Sequence, residues 1–387
     1  MLKKFLIGFT FFSVFIFLVD KLFILLSVNT FNIYTLQNSS NRNIILRELM
    51  PNLDYNIRPD SKYIKTTQGL ENKLYTVKTD SDGFIINSQN FLKDKTNVDI
   101  IFYGGSTTEL LFIDEANRFP SLVEKKLSKY LDQDIVVKNA GVSGNNSMHT
   151  NLSLIAKGIK YSPKIAFLFN NINDLKIYVR NQDYWNTHSS VALLQDDTKN
   201  NYSNIFITSL AKIKDFWFKN LWNVIALRID TSKLTSGFDK DKNITSRFYN
   251  DSKENDATEF NLELAISDFE NSLQTFIYIC KAWNIKPVLI TQPTRLNESD
   301  DHVINLFRNN SLYFKVNLKE YIYYHKLFNE KIRDISNKNG LTYVDLEKEI
   351  DPNSQNIYDH VHFTEEGSKE IANIIFNHIK DNYIGLF

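Results

Sequence analysis

The sequence predicts an α/β protein with a mostly parallel sheet covered by helices on both faces. Two observations carry this. Short β-branched and aromatic runs recur at residues 98–103, 135–139, 164–170, 287–292 and 341–345. Helical patterns separate or follow them, at about 117–131, 147–161, 261–283, 317–339 and 364–383. Strands alternating with helices build parallel sheets, and in such sheets function lies at the carboxyl ends of the strands.

Composition narrows the function classes. The 387 residues carry 45 basic and 45 acidic side chains, so no net charge points to nucleic acid. An apolar fraction of 43% supports a sizeable core in one large domain or two smaller ones. The single cysteine, Cys280, excludes an intramolecular disulfide framework and a cysteine-rich zinc site. Its neighbours Phe276, Ile277, Tyr278 and Ile279 make it a buried, inert thiol. Neither phosphate-loop pattern, G-x-G-x-x-G nor G-x-x-x-x-G-K-[ST], is present, which argues against a nucleotide cofactor.

The first 30 residues stand apart. Met1-Leu2-Lys3-Lys4 precedes an apolar run over 5–19, Asp20-Lys21 interrupts it, and 22–28 resumes it. Taken together the two runs reach the roughly 20 residues that a bilayer needs. No small-x-small cleavage site follows, so residues 1–30 are expected to be an uncleaved signal anchor, with a cleaved signal peptide and secretion as the alternative. Lys3 and Lys4 keep the N-terminus inside, which makes the protein single-pass with its main domain extracytoplasmic.

Residues 31–96 read as an irregular lead-in with strand candidates at 62–67 and 75–79 and a turn at 79–84. They suggest no chemistry. From 97 to the end runs the main domain. Its first strand is followed by Gly104-Gly105-Ser106-Thr107-Thr108, where two glycines tolerate the dihedrals of a sharp strand-to-helix bend. The second strand leads into Asn139-Ala140-Gly141-Val142-Ser143-Gly144-Asn145-Asn146-Ser147, and His149 beyond it is expected on a helix surface. The third leads into Asn170-Asn171-Ile172-Asn173-Asp174. Residues 176–259 break the rhythm with Trp185, Trp217, Trp222 and many other aromatics, and read as an insertion covering the cleft. Gly340 is a C-cap before the fifth strand, and Thr364 with Glu365 and Glu366 is a helix start. Ahead of that start stands Tyr358-Asp359-His360-Val361-His362-Phe363.

These loops fall on one rim and hold the parts of one chemistry. A serine hydroxyl is a poor nucleophile without a base, and an imidazole suits the task. A carboxylate fixes its tautomer and stabilises the imidazolium. Ser106, His362 and Asp359 supply these groups, and the spacing of Asp359 and His362 lets both reach one pocket from one loop. An oxyanion needs preorganised donors, which Ser106, Gly144 and Asn173 can offer. His360 is read as packed or solvent-facing. No His, Cys or carboxylate group has a metal-ligand spacing.

The four blocks resemble the SGNH (GDSL-type) hydrolase superfamily over about 98–383. Its Gly-Asp-Ser block stands here as Gly104-Gly105-Ser106, a replacement that resembles a variant of membrane-tethered branches. Its second-block glycine falls on Gly144. Its Gly-x-Asn-Asp block stands as Asn171-Ile172-Asn173-Asp174, without the glycine, and its Asp-x-x-His block is Asp359-His360-Val361-His362. The resemblance implies a flavodoxin-like three-layer α/β/α sandwich with a five-stranded parallel sheet. It implies a catalytic Ser106, His362 and Asp359, an oxyanion hole of Ser106, Gly144 and Asn173, and no metal or cofactor. The expected activity is a membrane-anchored serine esterase hydrolysing O-acyl esters, O-acetyl above all, on an extracytoplasmic glycan. An O-acyltransferase and a non-catalytic envelope protein of the same fold are the alternatives. Tyr178 and Arg180, just beyond the third block, are candidate substrate contacts.

Overall fold

The computed structural model describes residues 15, 18, 43–44, 46–86, 98–185, 191–195, 260–297, 300, 302, 304–305 and 316–387. The lead-in contributes β1 (Asn43–Ile44), β2 (Asp54–Ile57), α1 (Ser61–Lys65) and β3 (Tyr75–Lys78). The main domain follows with β4 (Ile100–Gly104), α2 (Ser106–Glu109), α3 (Phe119–Leu131), β5 (Val137–Gly141), α4 (Ser147–Ser153), β6 (Ile165–Phe169) and α5 (Ile172–Asn181). After β7 (Leu194–Gln195) come α6 (Leu262–Ala282), β8 (Lys286–Ile290), α7 (Leu318–Lys338), β9 (Tyr343–Val344), α8 (Leu346–Glu349) and α9 (Glu365–Asn382).

Five strands pair in the order β5-β4-β6-β8-β9, every neighbour parallel. In chain order that is 2-1-3-4-5, the flavodoxin-like doubly wound arrangement, whose switch point lies between its first and third strands. The layers follow from strand geometry, because successive side chains point to opposite faces. Ile101, Tyr103, Ala166 and Leu168 face one core with Leu273, Phe276, Phe328 and Ile332 of α6 and α7. Ile100, Phe102, Ile165 and Phe167 face the other with Val123 and Leu127 of α3 and Ile371 and Ile375 of α9. Cys280 is buried in the first core as expected, and burial pushes its thiol well above the usual range.

The helix starts are set by their caps. Asn317 and Glu320 form a reciprocal capping box on α7. The Thr364 hydroxyl accepts the Gly367 N–H at 3.1 Å on α9. Gly340 has φ +65° just past α7, in the left-handed geometry that ends helices. Two expected elements differ. The second strand runs later than the apolar pattern, because the N–H groups of Ile135 and Val136 go to Ser128 Oγ and Asp99 Oδ2 rather than to β4. The strand candidate at 62–67 is the helix α1, followed by a turn. The Asp60 backbone carbonyl accepts the Ile64 N–H at 2.9 Å, and the Thr66 and Thr67 side-chain hydroxyls bond back to the Tyr63 and Ile64 carbonyls. Side chain-to-backbone bonds of this kind outcompete the strand preference of the β-branched residues.

The lead-in is fastened onto the main domain. Strands β2 and β3 form an antiparallel pair, and Ile85 bridges Asn139 on the outer edge of β5. Leu49, Leu53, Ile57, Tyr75 and Val77 share a third core with Phe112, Val142 and Tyr358, residues of loops at the carboxyl rim. Lys138 pairs with Asp80, and Lys157 with Glu48 at 2.8 Å. Strand β1 pairs with β7 across the chain.

The expected anchor over 1–30 and most of the expected insertion over 176–259 lie outside the described residues. Helix α5 runs through Asn181, so the start of that segment continues the third block as a helix. Among the described residues no helix is long and apolar enough to cross a membrane.

Candidate active site

The site stands at the switch point, where β4 and β6 end side by side. Ser106 opens α2 directly after β4. The glycines before it are needed for space rather than for unusual dihedrals, which corrects the expectation from sequence. Neither has a positive φ, and Gly105 lies at φ −92°, ψ −148°. A Cβ on Gly104 would collide with Thr108 Oγ1 and reach 2.6 Å from the Phe169 carbonyl. A Cβ on Gly105 would collide with Asn173 Nδ2 and lie 3.1 Å from the Asn145 carbonyl.

The last loop brings in His362 and Asp359 together. Ile357 and Phe363 form an antiparallel bridge that pinches the loop between them. Inside it the Asp359 Oδ1 accepts the N–H groups of Val361 and His362, each at 2.8 Å. The Asp359 Oδ2 lies 2.6 Å from His362 Nδ1, and His362 Nε2 lies 2.7 Å from Ser106 Oγ. The His362 ring stacks on Tyr358 at 5.7 Å with 15° between planes. Asp359 is 2% exposed. Burial alone would raise its pKa, but His362, His360 and the hydrogen bonds from His362 and Val361 hold it far below the usual carboxylate range. An ionised carboxylate at Nδ1 leaves Nε2 as the proton acceptor facing the serine.

The other two rim loops lie beside the serine. Residues 142–145 form a turn closed by the Asn145 N–H on the Val142 carbonyl at 2.9 Å. Gly144 takes its third position at φ +82°, which favours glycine. Ser143 is anchored through its N–H and hydroxyl to the buried Glu109 carboxylate. The Asn173 amide donates to the Asn145 carbonyl at 2.9 Å and lies against Gly105. Asn173 and the turn that carries Gly144 thus meet at Gly105, next to Ser106, through the Asn145 carbonyl.

The remaining polar residues of these blocks lock the loops. Asp174 accepts the Ser147 N–H at 2.9 Å, the Ser147 hydroxyl at 2.5 Å and the Tyr184 hydroxyl at 2.6 Å. Burial pushes its carboxyl up to about 6, with those donors opposing. Asn171 binds Asn329 and the His325 carbonyl, and Gln292 bridges the Ile172 N–H and the Thr107 hydroxyl. His149 is buried, not on a helix surface. With Asn146 it forms the reciprocal cap of α4, and burial lowers its pKa well below the ordinary value.

Tyr178 and Arg180 do not reach the site. Tyr178 is 1% exposed, donates its hydroxyl to Asp268 and packs edge-on against Tyr184. Arg180 is half-buried farther along α5, where its charge acts on Tyr321. Neither lines the cleft beside Ser106. That cleft is walled by Leu110, Leu111, Phe112 and Ile113 after α2, by Ser143, by Tyr358 and Phe363, and by Tyr63 of the lead-in. Its cavity volume is about 20 Å³. His360 is packed, its ring edge-on to His362 at 6.2 Å and its carbonyl held by Thr294 and Arg295.

Sequence reasoning missed Tyr63. Its hydroxyl donates to Asp359 Oδ2 at 2.9 Å and stands 3.5 Å from His362 Nδ1. No local pattern marks a tyrosine 296 positions away as a partner of the carboxylate.

No family model matches the chain, and no curated protein matches its sequence. Solved structures do match. An acetyl xylan esterase, AlAXEase, is 14% identical, with 73% of this chain and 100% of that one covered at a TM-score of 0.40. A lipase/acylhydrolase from Enterococcus faecalis is 14% identical over 73% of this chain and 96% of its own, also at 0.40. A GDSL-like lipase from Bacteroides thetaiotaomicron is 13% identical over 73% and 88%, at 0.38.

Proposed function

We propose that the chain is a serine ester hydrolase working through an acyl-enzyme on Ser106. The observation that supports this reading is the continuous relay from Ser106 Oγ to His362 Nε2 at 2.7 Å and from His362 Nδ1 to Asp359 at 2.6 Å. Ser106 Oγ attacks the ester carbonyl while its proton passes to His362 Nε2. The carbonyl oxygen becomes an oxyanion, which Asn173 Nδ2 and the backbone N–H groups of Ser106 and Gly144 stabilise. The ester C–O bond then breaks, and the departing alcohol takes the proton from His362. A water molecule next gives one proton to His362 and attacks the acyl carbon. Breaking the bond to Ser106 Oγ releases the acid, and the proton returns to the serine.

The acyl group is small, in keeping with the narrow cleft between Leu110, Phe112 and Tyr358. The substrate we favour is an O-acetyl ester on an extracytoplasmic glycan, reached by a domain tethered through the apolar run at 5–28. Its support is the sequence resemblance and the N-terminal pattern.

The test is turnover of p-nitrophenyl acetate by the full-length chain in detergent, beside Ser106→Ala. The expected result is Ser106-dependent release of nitrophenol and labelling of Ser106 by a serine-reactive phosphonate. Equal turnover by both proteins, with no labelling, ends the hydrolase reading. Accessibility of an epitope tag placed after residue 387 to extracellular protease tests the topology.

A further inference from the structure

We propose that Tyr63, from the lead-in, is a positioning residue of the active site, acting on His362 through Asp359. This rests on the ester-hydrolase reading above. Asp359 is a buried carboxylate whose oxygens are both engaged. Oδ1 takes two backbone N–H groups of its own loop, and Oδ2 takes the His362 Nδ1–H and the Tyr63 hydroxyl at 2.9 Å. Three of the four donors come from the Asp-x-x-His loop itself. The fourth comes from a segment outside the domain that carries the triad.

The geometry makes the contact more than incidental. The Tyr63 ring lies among Phe112 at 6.0 Å and Tyr358 at 6.3 Å, so its hydroxyl has little freedom to turn away. The turn that follows its helix is tied to the same loop, where the Gln68 N–H donates to the Tyr358 carbonyl at 2.6 Å. Arg295 then joins Gln68 Oε1 at 2.6 Å to the Ile357 carbonyl at 2.9 Å. Burial and the Asp359 charge raise the Tyr63 pKa, so the phenol keeps its proton and remains a donor.

Two effects follow. The hydroxyl fixes the rotation of the carboxylate, so Oδ2 stays aimed at Nδ1. It also withdraws negative charge from Oδ2, which tempers how strongly the imidazolium is held. The same face carries Tyr358 and His360 of the loop, Tyr75 of β3, Glu109 of α2 and the Ser106 hydroxyl. Of these, Tyr358 shares a side-chain hydrogen bond with Tyr63 itself.

The experiment compares full-length wild type, Ser106→Ala and Tyr63→Phe, with Tyr63 replaced by 3-fluorotyrosine as a fourth protein that keeps the donor. Five quantities are read: kcat and KM for p-nitrophenyl acetate, the pH profile of kcat/KM, the downfield proton signal of His362 Nδ1–H, and the melting temperature. Tyr63→Phe is expected to lower kcat roughly 10-fold with KM nearly unchanged, the scale of one hydrogen bond to a charged group. The acid limb of its profile moves to higher pH, because a less neutralised carboxylate holds the imidazolium more tightly. The 3-fluorotyrosine protein restores kcat and moves the limb the other way. A fall in kcat that comes with a lower melting temperature, an unmoved acid limb and an unmoved Nδ1–H signal means a merely structural tyrosine and overturns the proposal. Unchanged kcat overturns it as well. If wild type shows no Ser106-dependent turnover, the hydrolase reading fails instead. The Nδ1–H signal then decides the Tyr63 contact alone, a shift in Tyr63→Phe supporting it and an identical signal overturning it.

Discussion

The Asn173 amide occupies the space where a side chain on Gly105 would begin. The neighbour of Ser106 is therefore bare because an amide from the first turn of α5, after the adjacent strand, lies against it. Gly105→Ala should push Asn173 away from Ser106 and weaken oxyanion stabilisation. The expected loss in kcat is on the order of 100-fold, that of removing one donor. The double variant Gly105→Ala, Asn173→Ala should fall little below Gly105→Ala alone. Independent, multiplying effects in this cycle would mean that Asn173 acts by another route.

Asp359→Asn keeps the size of the group and removes the charge that sets the His362 tautomer. With Oδ1 still accepting the N–H groups of Val361 and His362, the loop should hold its shape. The expected kcat is roughly 10⁴-fold lower than wild type. A circular dichroism spectrum and a melting curve distinguish this from unfolding, and a loss under tenfold would remove Asp359 from the relay.

Asp174 should make the fold pH-dependent in an uncommon direction. Its folded pKa of about 6 lies above the ordinary 3.8. Between those values the folded chain binds more protons than the unfolded one, so the stability contributed by this group is present below about 4 and is lost as pH rises to about 6, then stays level. Asp174→Asn removes that titration while its Oδ1 still accepts from Ser147 and Tyr184. Urea midpoints measured across this window should show the variant gaining on wild type as pH rises. A constant difference at every pH would refute the assignment.

A cleft walled by Leu110, Phe112 and Tyr358 is expected to favour short acyl chains. Turnover of p-nitrophenyl esters should fall at least about tenfold from acetate to octanoate, since a chain that cannot enter leaves its apolar surface in water. Phe112→Ala should narrow that ratio by opening the wall. Preference for octanoate by wild type would be incompatible with the acyl site proposed here.

Much of the site was legible because its signals are local. Ser106, Asn173, Asp359 and His362 each sit in a short polar segment directly after a strand or before a helix, and the alternation of elements places such segments on one rim. Residues 62–67 show where local reading misled: Ile64, Thr66 and Thr67 suit a strand, but Asp60 and the threonine hydroxyls close a helical turn instead. Tyr178 shows the complementary error, since proximity in sequence to the third block did not reveal that its face of α5 points into the core.

The order of residues by itself determined the strand and helix alternation, the caps of the long helices, and the polar residues that the loops carry. These depend on periodicity and on neighbours within one turn or one strand. Tertiary structure alone decided the strand order 2-1-3-4-5, the space that makes Gly105 bare, and the seating of Tyr63 on a carboxylate 296 positions away. Those contacts arise when surfaces distant in the chain are packed together, and packing leaves no periodic trace in either partner.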